Sequence, residues 1–298
     1  MMRAGVDLGG TKTEAIAMDA RGVVRARVRQ ASGRSYEESL AVVHDVVAEI
    51  ERLAGAAISS VGVGIPGSPS PVTGLIRNAN STWLNGRPFG EDLARVLARP
   101  TLLANDANCF ALSEAIDGAG AGARAVFGVI LGTGCGGGIV IDGRLWAGAS
   151  GIAGEWGHTP LPWPSDDEHP GPSCWCGKTG CLETWISGPG FARDHARATG
   201  AALPPEAIIA ACEAGDAGAL GSYRRLVGRI ARGLACVVNV IDPEVIVLGG
   251  GLSNIENLPE DVEAALPGHV FSDAVSVRVV RNRHGDSSGV RGAAWLFS

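Results

Sequence analysis

Residues 4–18 read Ala4-Gly5-Val6-Asp7-Leu8-Gly9-Gly10-Thr11-Lys12-Thr13-Glu14-Ala15-Ile16-Ala17-Met18. The apolar run Ala4 to Leu8 meets a glycine turn at Gly9-Gly10-Thr11, and Thr13 to Met18 resumes it. Two apolar runs joined by a short glycine turn are the pattern of a β-hairpin. The same grammar returns later: a strand from Val126 to Leu131, a glycine-rich turn from Gly132 to Gly138, and a returning strand from Ile139 to Ile141. Asp7-Leu-Gly-Gly-Thr-Lys12 and Ile130-Leu-Gly-Thr-Gly-Cys135 thus form a weak internal repeat. A third apolar strand, Val245 to Leu248, runs into Gly249-Gly250-Gly251.

Helical signals fill the intervals. Tyr36 to Leu53 places Leu40, Val43, Val46, Val47, Ile50 and Leu53 on one face at helical spacing. Val61 to Ile65 reads as a buried strand stopped by Pro66-Gly67, Phe89 to Ala98 as a helix, Thr101 to Ala104 as a strand, and Asn108 to Ala115 as a helix. A long helix is expected at Tyr223 to Val240 and a final one at Gly289 to Phe297. Strands alternating with helices predict an α/β architecture.

The 298 residues suffice for one large domain or two lobes with separate cores. A net charge of −6 argues against a nucleic-acid surface, which carries a basic stripe. An anionic nucleotide is still admissible, because backbone amides and a metal hold phosphates without surplus basic residues. The start runs directly into a strand, so no signal peptide is expected. No apolar stretch reaches the roughly 18 residues that a membrane helix needs. Seven cysteines, an odd number, do not suggest a disulfide framework, and a cytoplasmic protein is expected.

Each glycine turn follows an apolar strand, which exposes backbone N–H groups and lets the chain approach an anion closely. None is a Walker loop, and no Gly-x-Gly-x-x-Gly opens a helix. Asp7, just before the first turn, is placed either to hold Mg²⁺ beside a triphosphate or to cap the turn. Asn105-Asp106 ends a strand; Asp106 is placed either to accept a hydroxyl proton in phosphoryl transfer or to cap the helix beyond it.

The most specific local feature is His158 with Cys174, Cys176 and Cys181. Cys174-Trp-Cys-Gly-Lys-Thr-Gly-Cys181 supplies three thiolates in one tight loop, and one His completes the closed tetrahedral set of a structural zinc site. Free or redox-active thiols are the competing reading. Glu155 and Glu183 flank the cluster and would become rigid acceptors for a polyhydroxylated substrate if a metal pinned the loop; solvated surface glutamates are the alternative. Cys109, Cys135, Cys212 and Cys236 are expected in the core.

Taken together, Asp7-Leu-Gly-Gly-Thr-Lys12, Gly132-Thr-Gly134, Glu155-Trp-Gly-His158 and Cys174-Trp-Cys-Gly-Lys-Thr-Gly-Cys-Leu-Glu183 resemble the ROK family of sugar kinases and regulators, over essentially the whole chain. Asn78-Ala-Asn-Ser-Thr-Trp-Leu-Asn-Gly86, Ala104-Asn-Asp-Ala-Asn-Cys109 and the stretch His284 to Trp295 are similar to its bacterial fructokinase branch. The resemblance implies an actin/hexokinase-like (ribonuclease H-like) two-lobe fold with a duplicated βα core and a zinc-binding loop at 155–183. It divides the chain into a smaller lobe, 1–115, joined by a C-terminal helix at 288–298, and a larger lobe, 116–287, the two closing over ATP and sugar. By the same likeness Asp106 is the general base. Gly67, Asn80, Asn105, Glu155, His158 and Glu183 contact the sugar. Asp7, Gly9, Gly10, Thr11, Lys12, Gly132, Thr133, Gly134, Gly249 and Gly250 hold Mg·ATP, and His158, Cys174, Cys176 and Cys181 bind Zn²⁺. The implied activity is phosphoryl transfer from ATP to the 6-hydroxyl of a hexose, D-fructose first, with mannose, glucose and N-acetylhexosamines as alternatives. A homodimer, with no nucleic-acid or membrane partner, is implied as well. A sugar-sensing regulator is disfavoured, because no helix-turn-helix segment precedes Asp7. Two departures from the family pattern stand out: Trp175 replaces a small residue between the first two cysteines, and the Pro-rich insert between His158 and Cys174 is long, which leans toward fructose.

Overall fold

A computed structural model describes residues 2–297. The hairpin expected at 4–18 forms from β1 (Met2–Leu8) and β2 (Lys12–Met18), antiparallel with Asp7 opposite Glu14. The chain groups into two compact units: Met1–Gly122 with Gly138–Ala153 and Asp286–Ser298, and Ala123–Gly137 with Gly154–Gly285. Residues 138–153, assigned from the sequence to the larger lobe, fall in the first unit.

In the first unit the strand order is β3-β2-β1-β4-β7, with β3 at Val24–Ala31, β4 at Ile58–Ile65 and β7 at Thr101–Asn105. β4 lies parallel to both β1 and β7. Helix α1 (Tyr36–Ala54) starts at the Ser35 cap, whose side chain accepts from the Glu38 N–H, and stops at Gly55 in the left-handed region. Val43, Val46, Val47 and Ile50 are buried as expected, but Leu53 is 48% exposed: the apolar stripe ends one turn early. Helices α2 (Phe89–Leu97) and α3 (Asp106–Ile116) come next along the chain, with a small ladder of β5 (Ser68–Pro69) and β6 (Ile76–Arg77) before α2. Near the chain's end, α9 (Ser288–Trp295) lies against α3, β1 and β4. Its backbone approaches so closely that a Cβ on Gly62 would sit 1.8 Å from the Ala293 carbonyl oxygen and one on Gly5 2.0 Å from that of Val290. No larger residue fits there.

The second unit repeats the motif. β8 (Ala125–Leu131) is parallel to β11 (Val245–Gly249), which is parallel to β12 (Arg278–Arg281). β9 (Cys135–Ile141) comes after the turn at 132–134, and its later residues pair with β10 (Arg144–Leu145) within the first unit. The helices are α4 (Glu183–Ile186), α5 (Gly188–Thr199), α6 (Pro205–Glu213), α7 (Ala217–Ile241) and α8 (Leu258–Ala265). Cys109 and Cys135 are buried, whereas Cys212 is half-buried and Cys236 exposed, so the expectation that these four are core residues fails for two. Both lie on amphipathic helices, where a cysteine also sits at the edge of the apolar stripe. Among the described residues no helix is long and apolar enough to cross a membrane.

Candidate functional site

In the first unit, strand ends carry the polar groups. The turn after β1 is closed by the Gly9 N–H on the Lys12 carbonyl oxygen at 3.1 Å. It is braced by Ser32, whose hydroxyl donates to the Gly9 carbonyl at 2.7 Å while its N–H donates to the Thr11 carbonyl at 3.1 Å. Gly10, Thr11 and Lys12 are exposed, available to a ligand. Asp7 lies just inside this turn. Burial, then the charges of Asp106 and Glu14, lift its pKa from the ordinary 3.8 to about 6, with Lys12 opposing. Glu14 itself is only 3% exposed and is held by Arg27 and Arg29 of β3 at 3.0 and 2.7 Å. Ser32 and the two arginines were not legible as site supports: β3 alternates arginine with small or apolar residues and gave no strong strand signal.

Asn105 and Asp106 share the β7–α3 junction. Asn105 is the helix cap, its side-chain oxygen accepting from the Ala107 N–H at 2.9 Å, and its amide donates to the Gly67 carbonyl at 3.3 Å. Asp106 is the first residue of α3. Its carboxylate is open to solvent on one side, yet enough protein surrounds it that desolvation raises its pKa; the Ala107 N–H and Asn105 pull it down. A helix N-terminus favours the charged form, so the group is held as a base while staying easier to protonate than a free aspartate. Gly67 has φ +85°, and a Cβ there would meet the Arg77 carbonyl oxygen at 2.4 Å. Asn80 is exposed two residues beyond Asn78, which also takes a left-handed backbone.

The second unit brings together the other groups. Gly132, Thr133 and Gly134 form the β8–β9 turn, with the Gly188 N–H on the Gly132 carbonyl at 2.8 Å tying the turn to the start of α5. Beside this turn opens a cavity of about 600 Å³ lined by Gly132, Thr133, Pro189, Pro205, Ile209 and Leu252 among others, with Glu206 and Asn254 as polar members. Its walls are mainly apolar and its mouth carries a glycine turn, which suits a flat base beside a phosphate. Gly251 lines it, whereas the expected Gly249 and Gly250 stand just before, Gly249 buried in β11. Sequence reading missed α5 and α6 and therefore most of this wall; Pro189 and Pro205 near helix starts were the available signal.

His158, Cys174, Cys176 and Cys181 converge, their potential ligand atoms all within 4.8 Å of one another. Cys174 Sγ lies 3.6 Å from His158 Nδ1 and Cys176 Sγ 3.6 Å from Cys181 Sγ. Tetrahedral zinc at ordinary bond lengths holds such donors roughly 3.5–3.8 Å apart, so the donor set fits that ion. The insert before Cys174 is fastened to the helices by buried charges. Arg229, 1% exposed, donates to Glu168 at 2.8 Å and to Asp194 at 3.0 Å, and Arg232 donates to both Glu168 oxygens at 2.9 Å. Glu183 accepts from the Cys135 N–H at 2.9 Å and from the Trp175 indole at 2.7 Å. Glu155 is exposed at the start of the turn that carries His158.

A model of the ROK family matches residues 3–298. The chain is 40% identical to N-acetyl-D-glucosamine kinase of Pectobacterium atrosepticum, over 99% of this chain and 98% of that one. It is 39% identical to the protein of that name from Pasteurella multocida, over 99% of each. Among solved structures, ROK hexokinase from Thermus thermophilus superposes with a TM-score of 0.88 at 31% identity, over 99% of this chain and 97% of that one. A ROK family glucokinase from Streptomyces griseus, solved with glucose and AMPPNP, gives 0.79 at 28%, over 99% of each.

Proposed function

We propose that this chain, which belongs to the ROK family and is an ATP-dependent sugar kinase, phosphorylates the 6-hydroxyl of N-acetyl-D-glucosamine. The observation that carries the substrate is the 40% identity, along almost the full chain, to a kinase of that name. A second reading, D-fructose, is favoured by one feature: the long Pro-rich insert between His158 and Cys174, closed by Trp175.

The residue roles rest on chemistry. Asp106 accepts the proton of the sugar's primary hydroxyl as that oxygen attacks the γ-phosphorus. Burial raises its pKa above the ordinary carboxylate value, which makes it a stronger base than a free aspartate. Asn105 and Gly67, joined by a hydrogen bond, present polar groups beside it, and Asn80, Glu155, His158 and Glu183 hold further hydroxyls. Thr133 and Gly134 offer backbone amides to the nucleotide phosphates, the Gly132 N–H being spent on the Gly134 carbonyl within the turn, and the cavity beside them takes the base. The exposed Gly10, Thr11 and Lys12 offer a second set of donors. A divalent cation near Asp7 would supply charge neutralisation for the phosphates, and a carboxylate that burial and the neighbouring Asp106 and Glu14 lift to about 6 fits that role. His158, Cys174, Cys176 and Cys181 would hold a zinc ion, which would supply rigidity rather than chemistry, since four protein ligands would leave no open position.

The test is ADP release over N-acetyl-D-glucosamine, N-acetyl-D-mannosamine, D-fructose, D-mannose and D-glucose, with the phosphorylated position read by NMR. The highest kcat/KM on N-acetyl-D-glucosamine, with a 6-phosphate product, is expected. Preference for fructose by tenfold or more would replace the first reading with the second.

A further inference from the structure

Trp175 is 67% exposed, an unusual setting for an indole on a loop this constrained. It sits between Cys174 and Cys176, two members of the His/Cys cluster. Its Nε1–H donates to Glu183 Oε1 at 2.7 Å, and its ring stands edge-on to the His158 imidazole, centroids 5.0 Å apart at 84°. The other Glu183 oxygen is taken by the Cys135 backbone N–H at 2.9 Å. One exposed aromatic residue therefore hydrogen-bonds Glu183 and packs its ring against His158.

We infer that Trp175 is a specificity-determining residue: it fixes Glu183 and His158 for the sugar and offers its free indole face to the bound ring or its substituent. This rests on the proposed sugar-binding roles of Glu183 and His158. A carboxylate with one oxygen on a backbone amide and the other on an indole cannot rotate, so its remaining lone pairs point one way. A hydroxyl that meets those lone pairs binds; a stereoisomer that misses them leaves a desolvated carboxylate unsatisfied. Aromatic faces also take the apolar side of a ring or a methyl substituent, which an acetamido group carries and a plain hydroxyl does not.

Trp175→Phe keeps the ring and removes the donor; Trp175→His keeps a ring N–H. Both are compared with the unmutated protein on the sugar it turns over best, so the baseline first establishes the kinase reading independently. Loss of a hydrogen bond to a charged group predicts a rise in sugar KM of about 10- to 100-fold in Trp175→Phe. The KM for ATP and the kcat should stay within about twofold, metal content per chain should be unchanged, and Trp175→His should recover part of the loss. The fluorescence change on sugar addition should also shrink in Trp175→Phe. A sugar KM within twofold of the parent, or equal rises in both KM values, would overturn the inference. So would a KM effect accompanied by loss of metal, which would assign it to the loop as a whole.

Discussion

The two glycine turns, Gly9–Lys12 after β1 and Gly132–Gly134 after β8, stand on equivalent strands of two sheets built to one plan. Their surroundings differ sharply. The first turn is ringed by carboxylates: Asp7, Glu14 and Asp106, with a titration lifted to about 6 at Asp7. The second opens beside an apolar cavity of about 600 Å³ and has Glu183 near its far end. A duplicated scaffold thus carries different side chains around its two turns, carboxylates at one and an apolar cavity at the other, and the proposed function gives the first to charge and proton chemistry and the second to a flat ligand. The glycine turn is common property of both; the side chains set around it decide its use.

On that division, Asp106→Asn should be the most damaging change, lowering kcat by about 10²–10⁴-fold with the sugar KM little altered. Steady-state kinetics would expose an error, since a kcat loss under tenfold would remove proton chemistry from the first turn. Cys181→Ser should come next. A missing ligand should release the metal and lower the thermal midpoint by several degrees, read by elemental analysis and calorimetry; full metal content in that variant would refute the ligand set.

Asp7→Asn should separate activity from stability. A carboxylate raised from 3.8 to about 6 costs the folded state up to about 3 kcal/mol once pH exceeds 6, because the native form holds its proton more tightly than the unfolded chain. Stability of the parent should therefore fall as pH rises from about 4 to 6 and stay lowered above it. Asp7→Asn should be the more stable protein at pH 8 without magnesium, equal to the parent near pH 4, and poorly active. Added Mg²⁺ should raise the melting temperature of the parent more than that of the variant. The smallest effect belongs to the second turn's cavity: Ile209→Ala should raise the KM for ATP by several-fold through loss of about 1–2 kcal/mol of apolar contact, leaving the sugar KM alone.

Much of this comparison was legible in the sequence wherever spacing is local. The hairpin at 4–18, helix α1 and the Cys174–Cys181 loop each announce themselves within a few residues. The fold was read correctly as α/β, and the family with it. What was missed depends on distant partners. β3, with arginine at alternate positions, looks too polar for a strand until Glu14 is seen opposite Arg27 and Arg29. Helices α5 and α6 were passed over because their value is a cavity wall completed by Leu252 and Ile255, some 50 residues away. Leu53 and Cys236 were placed inside on apolar character alone, and both are exposed. Substrate choice depends on a few hydrogen bonds at fixed angles, which no spacing rule encodes.

The seating of α9 on Gly5 and Gly62 has a consequence in time. The first unit draws its sheet from residues 2–105 and its covering helix from 288–295, with the whole second unit translated in between. During synthesis the β1–β4 surface that α9 covers must wait, apolar and unsealed, until the last of these residues has left the ribosome. At about 5–20 residues per second that interval lasts on the order of ten seconds or more. The second unit ends at Gly285, only two residues before α9, so both units are completed at nearly the same moment; the first unit, whose sheet is made earliest, stays open longest and is the one most exposed to capture by chaperones or by another nascent copy.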